Sequence, residues 1–214
     1  MAIAFNKTAG GAKKSDVKYY EYANGDNKVR LIGDILPRYV YWVKTASNKN
    51  LPFECLAFNR ETETFDNVET DHVQKFFPDL RCGWAYCGLC IDKGEIKVIT
   101  FKKKLFQQIM TAAEDLGDPT DPDTGFPICF KKVKTGPNAF NVEYTLQVLK
   151  CKPEPLTDEE KELVANSKTI DAMLPRETPD SQLKRLEKIM EALSGASTED
   201  EEVDEDIQSA VDID

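Results

Sequence analysis

Hydrophobic residues between positions 28 and 149 fall into short runs that are rich in Val, Ile, Tyr and Phe. Clusters of Gly, Pro, Asn or Asp separate these runs, which read KVRLIGDIL, RYVYWV, LPFECLAF, EIKVITF and NVEYTLQVL. Runs of this length, bounded by turn-forming residues, predict β-strands. Five of them suit a small closed or half-closed barrel, so we predict a mainly β protein with helices, of the α+β class.

Two segments inside this region have a helical pattern instead. The stretch KKKLFQQIMTAAEDLG repeats apolar residues every three to four positions and stops at Gly117. This pattern predicts one amphipathic helix with its apolar side in the core. A shorter candidate helix runs from Thr70 to Phe77.

The chain changes character after Cys151 and predicts further helices there. Thr157 with Glu160 forms a capping-box pattern, and Thr178 followed by Pro179 is a second helix start. We expect these C-terminal helices to be peripheral to the barrel.

Charge is distributed unevenly along the chain. Residues 1–150 hold 21 Lys and Arg against 19 Asp and Glu, a net charge of +2. Residues 151–214 hold 7 against 19, a net charge of −12. The acidic balance of the whole chain therefore belongs to its C-terminal part and does not exclude a polyanionic ligand for the rest.

These patterns divide the chain into four parts. Residues 1–27 are predicted to be a flexible basic arm, 28–152 a folded core, 153–195 a helical segment, and 196–214 a disordered acidic tail. The arm is open to two interpretations, a solvated terminus or a segment that reaches a phosphate backbone or a neighbouring molecule.

The acidic tail also has two interpretations. It is a solubilising segment, or it competes with a nucleic-acid backbone for a basic groove and docks partner proteins. Apolar residues among the acids favour docking, namely Val203, Ile207, Val211 and Ile213.

Cations recur beside aromatic rings throughout the predicted core. Single-stranded nucleic acid is held by cations that follow its phosphates and by rings on which its bases stack. Tyr39 and Tyr41 are predicted to share one face of a strand and Trp42 the other. The candidate DNA-binding residues are Arg30, Arg38, Tyr39, Tyr41, Trp42, Lys44, Arg60, Trp84, Tyr86, Lys102, Lys103, Lys104, Lys131, Lys132 and Lys134.

Cysteines in RCGWAYCGLC suggest a structural zinc site. Cys87 and Cys90 have knuckle spacing, and Cys82 is a third nearby thiol. The fourth ligand would be Cys55 or, alternatively, His72, the single histidine of the chain. Free cysteines are also common core residues, and this interpretation remains open.

Other classes of protein receive less support. No run of eighteen apolar residues and no secretory signal is evident, so we expect a cytoplasmic protein. The sequence holds one histidine and has no nucleophile motif or phosphate loop, which argues against an enzyme.

Together these features resemble the single-stranded DNA-binding, or helix-destabilising, proteins of tailed bacteriophages. The resemblance lies in KVRLIGDILPRYVYWV, RCGWAYCGLC, FKKKLFQQI, LGDPTDPDTGFPICFKKVKTGP, NVEYTLQVLKC and the acidic C-terminus. It implies an OB-fold core, binding of single strands in replication, recombination and repair, and an acidic tail that recruits replication proteins.

The resemblance also bears on zinc and on self-association. In the best-known branch a zinc ion lies near the DNA cleft, and its paired cysteines match Cys87 and Cys90. That branch has a histidine with no counterpart near Val40 here, so Cys82 would have to replace it. Its basic N-terminal arm promotes cooperative binding, which residues 1–18 match in composition alone.

A second hypothesis is a protein-interaction adaptor, in which a zinc knuckle and the acidic tail dock partners while the barrel is a scaffold. Capture of a partner without any oligonucleotide binding would favour the adaptor.

Overall fold

The computed structural model describes residues 17–138 and 141–194 and has an α+β fold. The strands are β1 (Gly25–Leu36), β2 (Tyr39–Lys44), β3 (Asn50–Glu54), β4 (Phe58–Asn59), β5 (Thr64–Phe65), β6 (Gly83–Trp84), β7 (Cys87–Asp92), β8 (Glu95–Thr100), β9 (Ile128–Lys134) and β10 (Val142–Leu146). The α-helices of these ranges are α1 (Val73–Phe76), α2 (Lys103–Leu116), α3 (Asp158–Ala165), α4 (Ile170–Met173) and α5 (Pro179–Leu193). Short 3₁₀ helices lie at Val68–Thr70 and Val148–Lys150.

The central element is an antiparallel sheet of five strands in the order β10-β9-β1-β7-β8. Strand β1 pairs with β9 through its first residues and with β7 from Arg30 onward. The β1–β7 register shifts between Ile32 and Leu36, and Gly33 within this interval has a φ of 63°, which favours glycine. Such an irregularity bends a strand, and it lets β1 join two hairpins.

This sheet is not closed into a barrel, because β8 and β10 form its two edges. Residues 18–20 cover the β8 edge: the Tyr20 N–H donates to the Val98 carbonyl, and the Val98 N–H donates to the Lys18 carbonyl, both at 2.8 Å. At the β10 edge, the Gln108 side chain of α2 accepts from the Leu146 N–H at 2.8 Å. Each edge strand therefore has a hydrogen-bonding partner outside the five-stranded sheet, and β8 and β10 do not pair with each other.

The N-terminal segment 1–27, predicted to be a flexible arm, is described from residue 17 onward. Tyr20 is buried in the main core, and its hydroxyl donates to the Asn27 side chain at 2.7 Å. This part of the segment is packed against the sheet. Residues 1–16 and the predicted acidic tail at 196–214 lie outside the described residues.

Between β1 and β7 the chain forms a large insertion. It holds a three-stranded sheet of order β3-β2-β6, the β4–β5 hairpin and α1. Each of the five predicted runs contains a strand, and α2 ends at Gly117, which has a φ of 87°. Two strands of the five-stranded sheet were not among the five predicted runs: β7, which begins in RCGWAYCGLC and ends at Asp92, and β9.

The sheet separates two hydrophobic cores. The main core contains Leu31 and Cys90 together with rings from β2, β3 and β9, whereas a second core contains Ile32, Cys87 and Leu89. Leu156 and Ile170 complete the second core from the C-terminal segment. The C-terminal segment thus covers one face of the sheet.

The predicted helix starts are confirmed. The expectation that these helices are peripheral holds for α3, which has no buried residue, but is wrong for α5. The capping box at Thr157 is formed, and Thr178 caps α5. Leu186 of α5 is fully buried in the main core. The buried Gln182 accepts from the His72 N–H at 2.8 Å and donates to the Glu54 carbonyl at 2.9 Å, which joins α5 to the insertion.

In the described part of the chain, no helix combines the length and the apolar character needed to cross a lipid bilayer.

If α5 is part of the core, Leu186→Ala should lower the free energy of unfolding by about 3 kcal/mol, because it leaves a cavity among packed side chains. Leu193→Ala on the same helix is the matched control, since Leu193 is 45% exposed and its truncation should cost less than about 0.5 kcal/mol. Urea unfolding followed by circular dichroism measures both. Equal losses for the two variants would contradict the integrated position of α5.

Candidate nucleic-acid interface

Aromatic side chains from the insertion, the β8–α2 connection and α2 form one continuous group, which we call the ring cluster: Tyr39, Phe58, Phe65, Trp84, Tyr86, Phe101 and Phe106. The Trp84 and Tyr86 rings are stacked, with centroids 4.5 Å apart and planes 16° apart. Phe106 on α2 lies 5.5 Å from Trp84 and 5.0 Å from Phe101. The group therefore connects the insertion to the junction of β8 and α2.

Only part of the ring cluster reaches solvent. Phe65 is 51% exposed, and Tyr39, Trp84 and Phe106 are half-buried. Phe58 and Phe101 are buried beneath them. The exposed rings thus rest on fixed aromatic neighbours, an arrangement that suits the stacking of bases.

Tyr22 lies at the open side of the sheet and joins its two halves. Its hydroxyl donates to the Thr100 carbonyl at the end of β8 at 2.9 Å. Its ring packs edge-on against Tyr144 of β10 at 5.3 Å and contacts Phe130 of β9 at 5.5 Å. Burial holds the pKa of Tyr22 well above its usual range, so the hydroxyl stays a donor.

Two groups of lysines meet at this tyrosine, and we call Tyr22 with Lys102 and Lys132 the Tyr22 junction. Lys102 Nζ lies 6.0 Å from the centre of the Tyr22 ring. Lys132 Nζ donates to the Tyr22 carbonyl at 3.3 Å. These contacts bring Lys102 and Lys132 together at Tyr22, beside Phe101 of the ring cluster. Lys134 shares the face of β9 with Lys132, whereas Lys131 points to the opposite face.

Further lysines near the junction residues in the chain are exposed. Lys103 and Lys104 begin α2, while Lys131 and Lys134 lie on β9, and all four side chains are exposed. Lys44, at the end of β2, is also exposed. These positions leave ammonium groups available to a phosphate backbone.

Two of the cationic residues predicted to bind DNA instead form hydrogen bonds with other parts of the protein. We therefore no longer assign them to the candidate interface. Arg30 is buried and donates to the carbonyls of Pro119 and Asp121 at 2.9 and 2.6 Å, which fixes the GDPTDPDTG loop. Arg60 makes two hydrogen bonds to Glu54, at 2.9 and 2.6 Å, and its side chain is 13% exposed. Arg38 is half-buried, and its Nε donates to the Ala85 carbonyl at 3.2 Å.

Two predicted stacking rings are also core residues. Tyr41 is 1% exposed, and Tyr86 is 8% exposed with its hydroxyl donating to Glu63 at 2.7 Å. The predicted faces of β2 are correct: Tyr39 and Tyr41 point towards the main core, whereas the half-buried Trp42 lies on the other face. Tyr86 supports Trp84 from beneath.

The predicted zinc ligands do not converge. Cys87 and Cys90 are three residues apart on β7, so they point to opposite faces and belong to different cores. Burial raises the pKa of both thiols, that of Cys90 to about 12. His72 Nδ1 lies 3.2 Å from Lys75 Nζ.

Among the described residues, no group of three or more His, Cys, Asp or Glu side chains is placed so that it could hold a metal ion. Because Cys87 and Cys90 point to opposite faces of β7, they cannot bind the same zinc ion in this arrangement.

Sequence reasoning missed three aromatic residues of this surface: Tyr22, Phe65 and Phe106. A signal was present for Tyr22, because the run YYEY at 19–22 is unusually aromatic for a flexible arm. Phe106 was assigned to the core because it follows the apolar pattern of α2. Phe65 lies in a polar stretch and had no signal of its own.

Comparison with known proteins gives one informative relative. No protein-family model matches the chain. A curated protein of Escherichia phage T5, named "Probable ssDNA-binding protein", is 30% identical in an alignment of 161 residues that covers 69% of this chain and 60% of that protein. The chain thus spans less than two thirds of the length of this relative.

Since the Arg60–Glu54 pair is largely buried, Arg60→Ala should lower the free energy of unfolding by about 3 kcal/mol, because Glu54 would keep only its longer ion pair with Arg176, at 3.6 Å. Lys18→Ala is the control, since it breaks an ion pair whose side chains are 60% and 50% exposed, and it should leave the unfolding midpoint nearly unchanged. Urea unfolding monitors both variants. A small effect of Arg60→Ala would return this residue to the candidate interface.

Proposed function

We propose that this chain belongs to a family of phage single-stranded DNA-binding proteins, which the relative from phage T5 and the sequence motifs support. From that premise, we propose that it binds single-stranded DNA with little sequence preference. The observation that carries the proposal is the Tyr22 junction, where Lys102 and Lys132 meet beside the ring cluster.

Physical chemistry supports this surface as the binding site. Lysines along segments 102–104 and 132–134 would neutralise phosphates and release counterions. Stacking of a base on an exposed ring contributes about 1–3 kcal/mol and is tolerant of sequence, because every base has an aromatic face. The half-buried Trp84 and the exposed Phe65 are the rings that we assign to stacking.

We also propose that the main sheet is an opened OB-fold barrel. The long shared strand β1, the hairpins β7–β8 and β9–β10, and the intervening α2 support this assignment. OB-folds bind oligonucleotides on the face of strands 2 and 3 and on the loops that join strands 1–2 and 4–5. The corresponding parts here are β7 and β8, the insertion with its rings, and the β9–β10 connection beside Lys134.

The wider role that we propose is coating of single strands during replication, recombination and repair of phage DNA. The phage relative is named for binding and belongs to a non-enzymatic class, in line with the expected absence of catalysis. Cooperative self-association on DNA through the N-terminal segment, recruitment of replication proteins by the acidic tail and a cytoplasmic location are parts of the same proposal.

The binding surface predicts a defined change in salt dependence. Lys103→Ala and Lys134→Ala should each weaken binding to oligo-dT and reduce the log–log salt slope by about 0.7, the value for one phosphate of a single strand. Quenching of tryptophan fluorescence can follow the titrations, because Trp84 is part of the ring cluster.

Lys161→Ala is the matched control, since Lys161 lies on α3, on the side of the second core, and pairs with Asp123 at 2.7 Å. Its slope should equal that of the wild type. Equal affinity for duplex and single-stranded DNA at matched salt, or unchanged slopes for both binding variants, would contradict the proposal.

The acidic tail is proposed to compete with DNA for the same lysines. Deletion of residues 196–214 should then tighten binding to oligo-dT at low salt, and the gain should shrink as salt screens the competing charges. Replacing the nine acids of the tail with their amides keeps its length and should tighten binding by a similar factor. An unchanged affinity in both variants would exclude this autoinhibition.

A further inference from the structure

The β4–β5 hairpin places a glutamate beside the ring cluster. Phe58 pairs with Phe65 across this hairpin, and the loop between the two strands ends at Glu63. The Oε2 atom of Glu63 accepts a hydrogen bond from the Tyr86 hydroxyl at 2.7 Å. The Phe65 ring lies 5.0 Å from the ring of Tyr39, which itself lies 6.4 Å from the ring of Tyr86. A carboxylate and the most exposed ring of the cluster thus lie beside the same two tyrosines.

The loop holds this glutamate in an uncommon conformation. Glu63 has a φ of 53°, in the left-handed region that few residues other than glycine adopt. The Asn59 side chain accepts hydrogen bonds from the N–H groups of Glu61 and Thr62, at 2.9 and 3.4 Å, which orders the loop just before Glu63. A backbone conformation of this kind has an energetic cost, and such conformations are concentrated at sites where a side chain has a function.

One carboxylate oxygen of Glu63 is occupied and the other is available. Burial, and then the hydrogen bond to Glu63, raise the pKa of Tyr86, so this hydroxyl stays a donor and occupies Oε2. Glu63 is exposed, and no hydrogen bond or ion pair from another described residue reaches its Oε1 atom. An ionised carboxylate can only accept hydrogen bonds, so this oxygen suits a ligand that presents an N–H donor.

Charge decides which part of a DNA strand can approach this oxygen. The hairpin and the residues after it present exposed acidic side chains, namely Glu61, Glu63, Asp66 and Glu69. Such a surface repels phosphates, whereas the exposed Lys103 and Lys134 attract them. A strand that binds here would therefore turn its bases, and not its phosphates, towards Glu63.

We propose that Glu63 is a specificity-determining residue, which accepts a hydrogen bond from the exocyclic amino group of a base that stacks on Phe65. Cytosine and adenine present this donor, whereas thymine presents an acceptor oxygen at the same position, which the carboxylate repels. The N3–H of thymine lies between two carbonyl oxygens, so their repulsion weakens its hydrogen bond to a carboxylate. The inference rests on the proposed binding of single-stranded DNA and adds to it a preference for amino-bearing bases at one nucleotide of the bound strand.

The test compares oligo-dC with oligo-dU of equal length, using the full-length protein at neutral pH. Cytosine and uracil differ in one exocyclic group, an amino group in place of a carbonyl, and in the proton on N3. The wild type should bind oligo-dC roughly two- to tenfold more tightly, the range expected for one net hydrogen bond. Quenching of tryptophan fluorescence follows both titrations, which are repeated at several salt concentrations.

Two variants separate a base contact from a structural role. Glu63→Gln keeps an oxygen that can accept from Tyr86, and its amide N–H can donate to uracil, so the ratio of the two affinities should fall close to one. Glu61→Gln removes the same charge from the same loop and should keep the wild-type ratio. Thermal unfolding checks that both variants are folded.

A modified ligand tests the contact without any change in the protein. Oligo-dC with two methyl groups on each exocyclic nitrogen has no amino donor, and the wild type should bind it no more tightly than oligo-dU. Equal, salt-dependent binding of oligo-dC and oligo-dU by the wild type, or an unchanged ratio in Glu63→Gln, would overturn this inference and leave the proposed function in place. Absence of binding to either oligonucleotide would overturn both.

Discussion

The pairing of one strand with two hairpins is the constraint on which this structure depends. Strand β1 is hydrogen-bonded to β9 along its first half and to β7 along its second half, with an irregularity near Gly33. Because alternate residues of β1 enter different cores, Leu31 packs with the rings and Ile32 packs beneath the C-terminal helices. A shift of one residue would exchange these faces, so the register of β1 fixes both layers.

The open side of the sheet gives this arrangement its candidate function. Residues 18–20 occupy the edge of β8, and Tyr22 then spans the gap towards β10. An aromatic ring held between two hairpins brings together cationic segments that lie about thirty positions apart in the chain, as the approach of Lys102 and Lys132 to Tyr22 shows. A closed barrel would pair β8 with β10 and leave no place for this tyrosine.

Local signals predicted much of the fold, and long-range contacts decided the rest. Strand runs, the end of α2 at Gly117 and the cap at Thr157 depend on neighbouring residues, and the structure has them. The Cys-x-x-Cys spacing had two physical meanings, a turn that gathers thiols or a strand that separates them, and hydrogen bonding to β1 selects the strand. Burial of Arg30 and Arg60 likewise depends on carbonyl and carboxylate partners that sequence patterns do not reveal.

Core and surface are parts of one aromatic group in this protein, which affects the energetics of the proposed binding. Tyr86 is held by Glu63 and stacks on Trp84, so the position of the half-buried indole is set before any ligand arrives. A ring that is already immobile loses little conformational entropy when a base stacks on it, so more of the stacking energy appears as affinity. Burial of Tyr86 and Phe58 thus contributes to stability and, in the proposed function, to binding. Mutations beneath the surface should therefore affect both properties together.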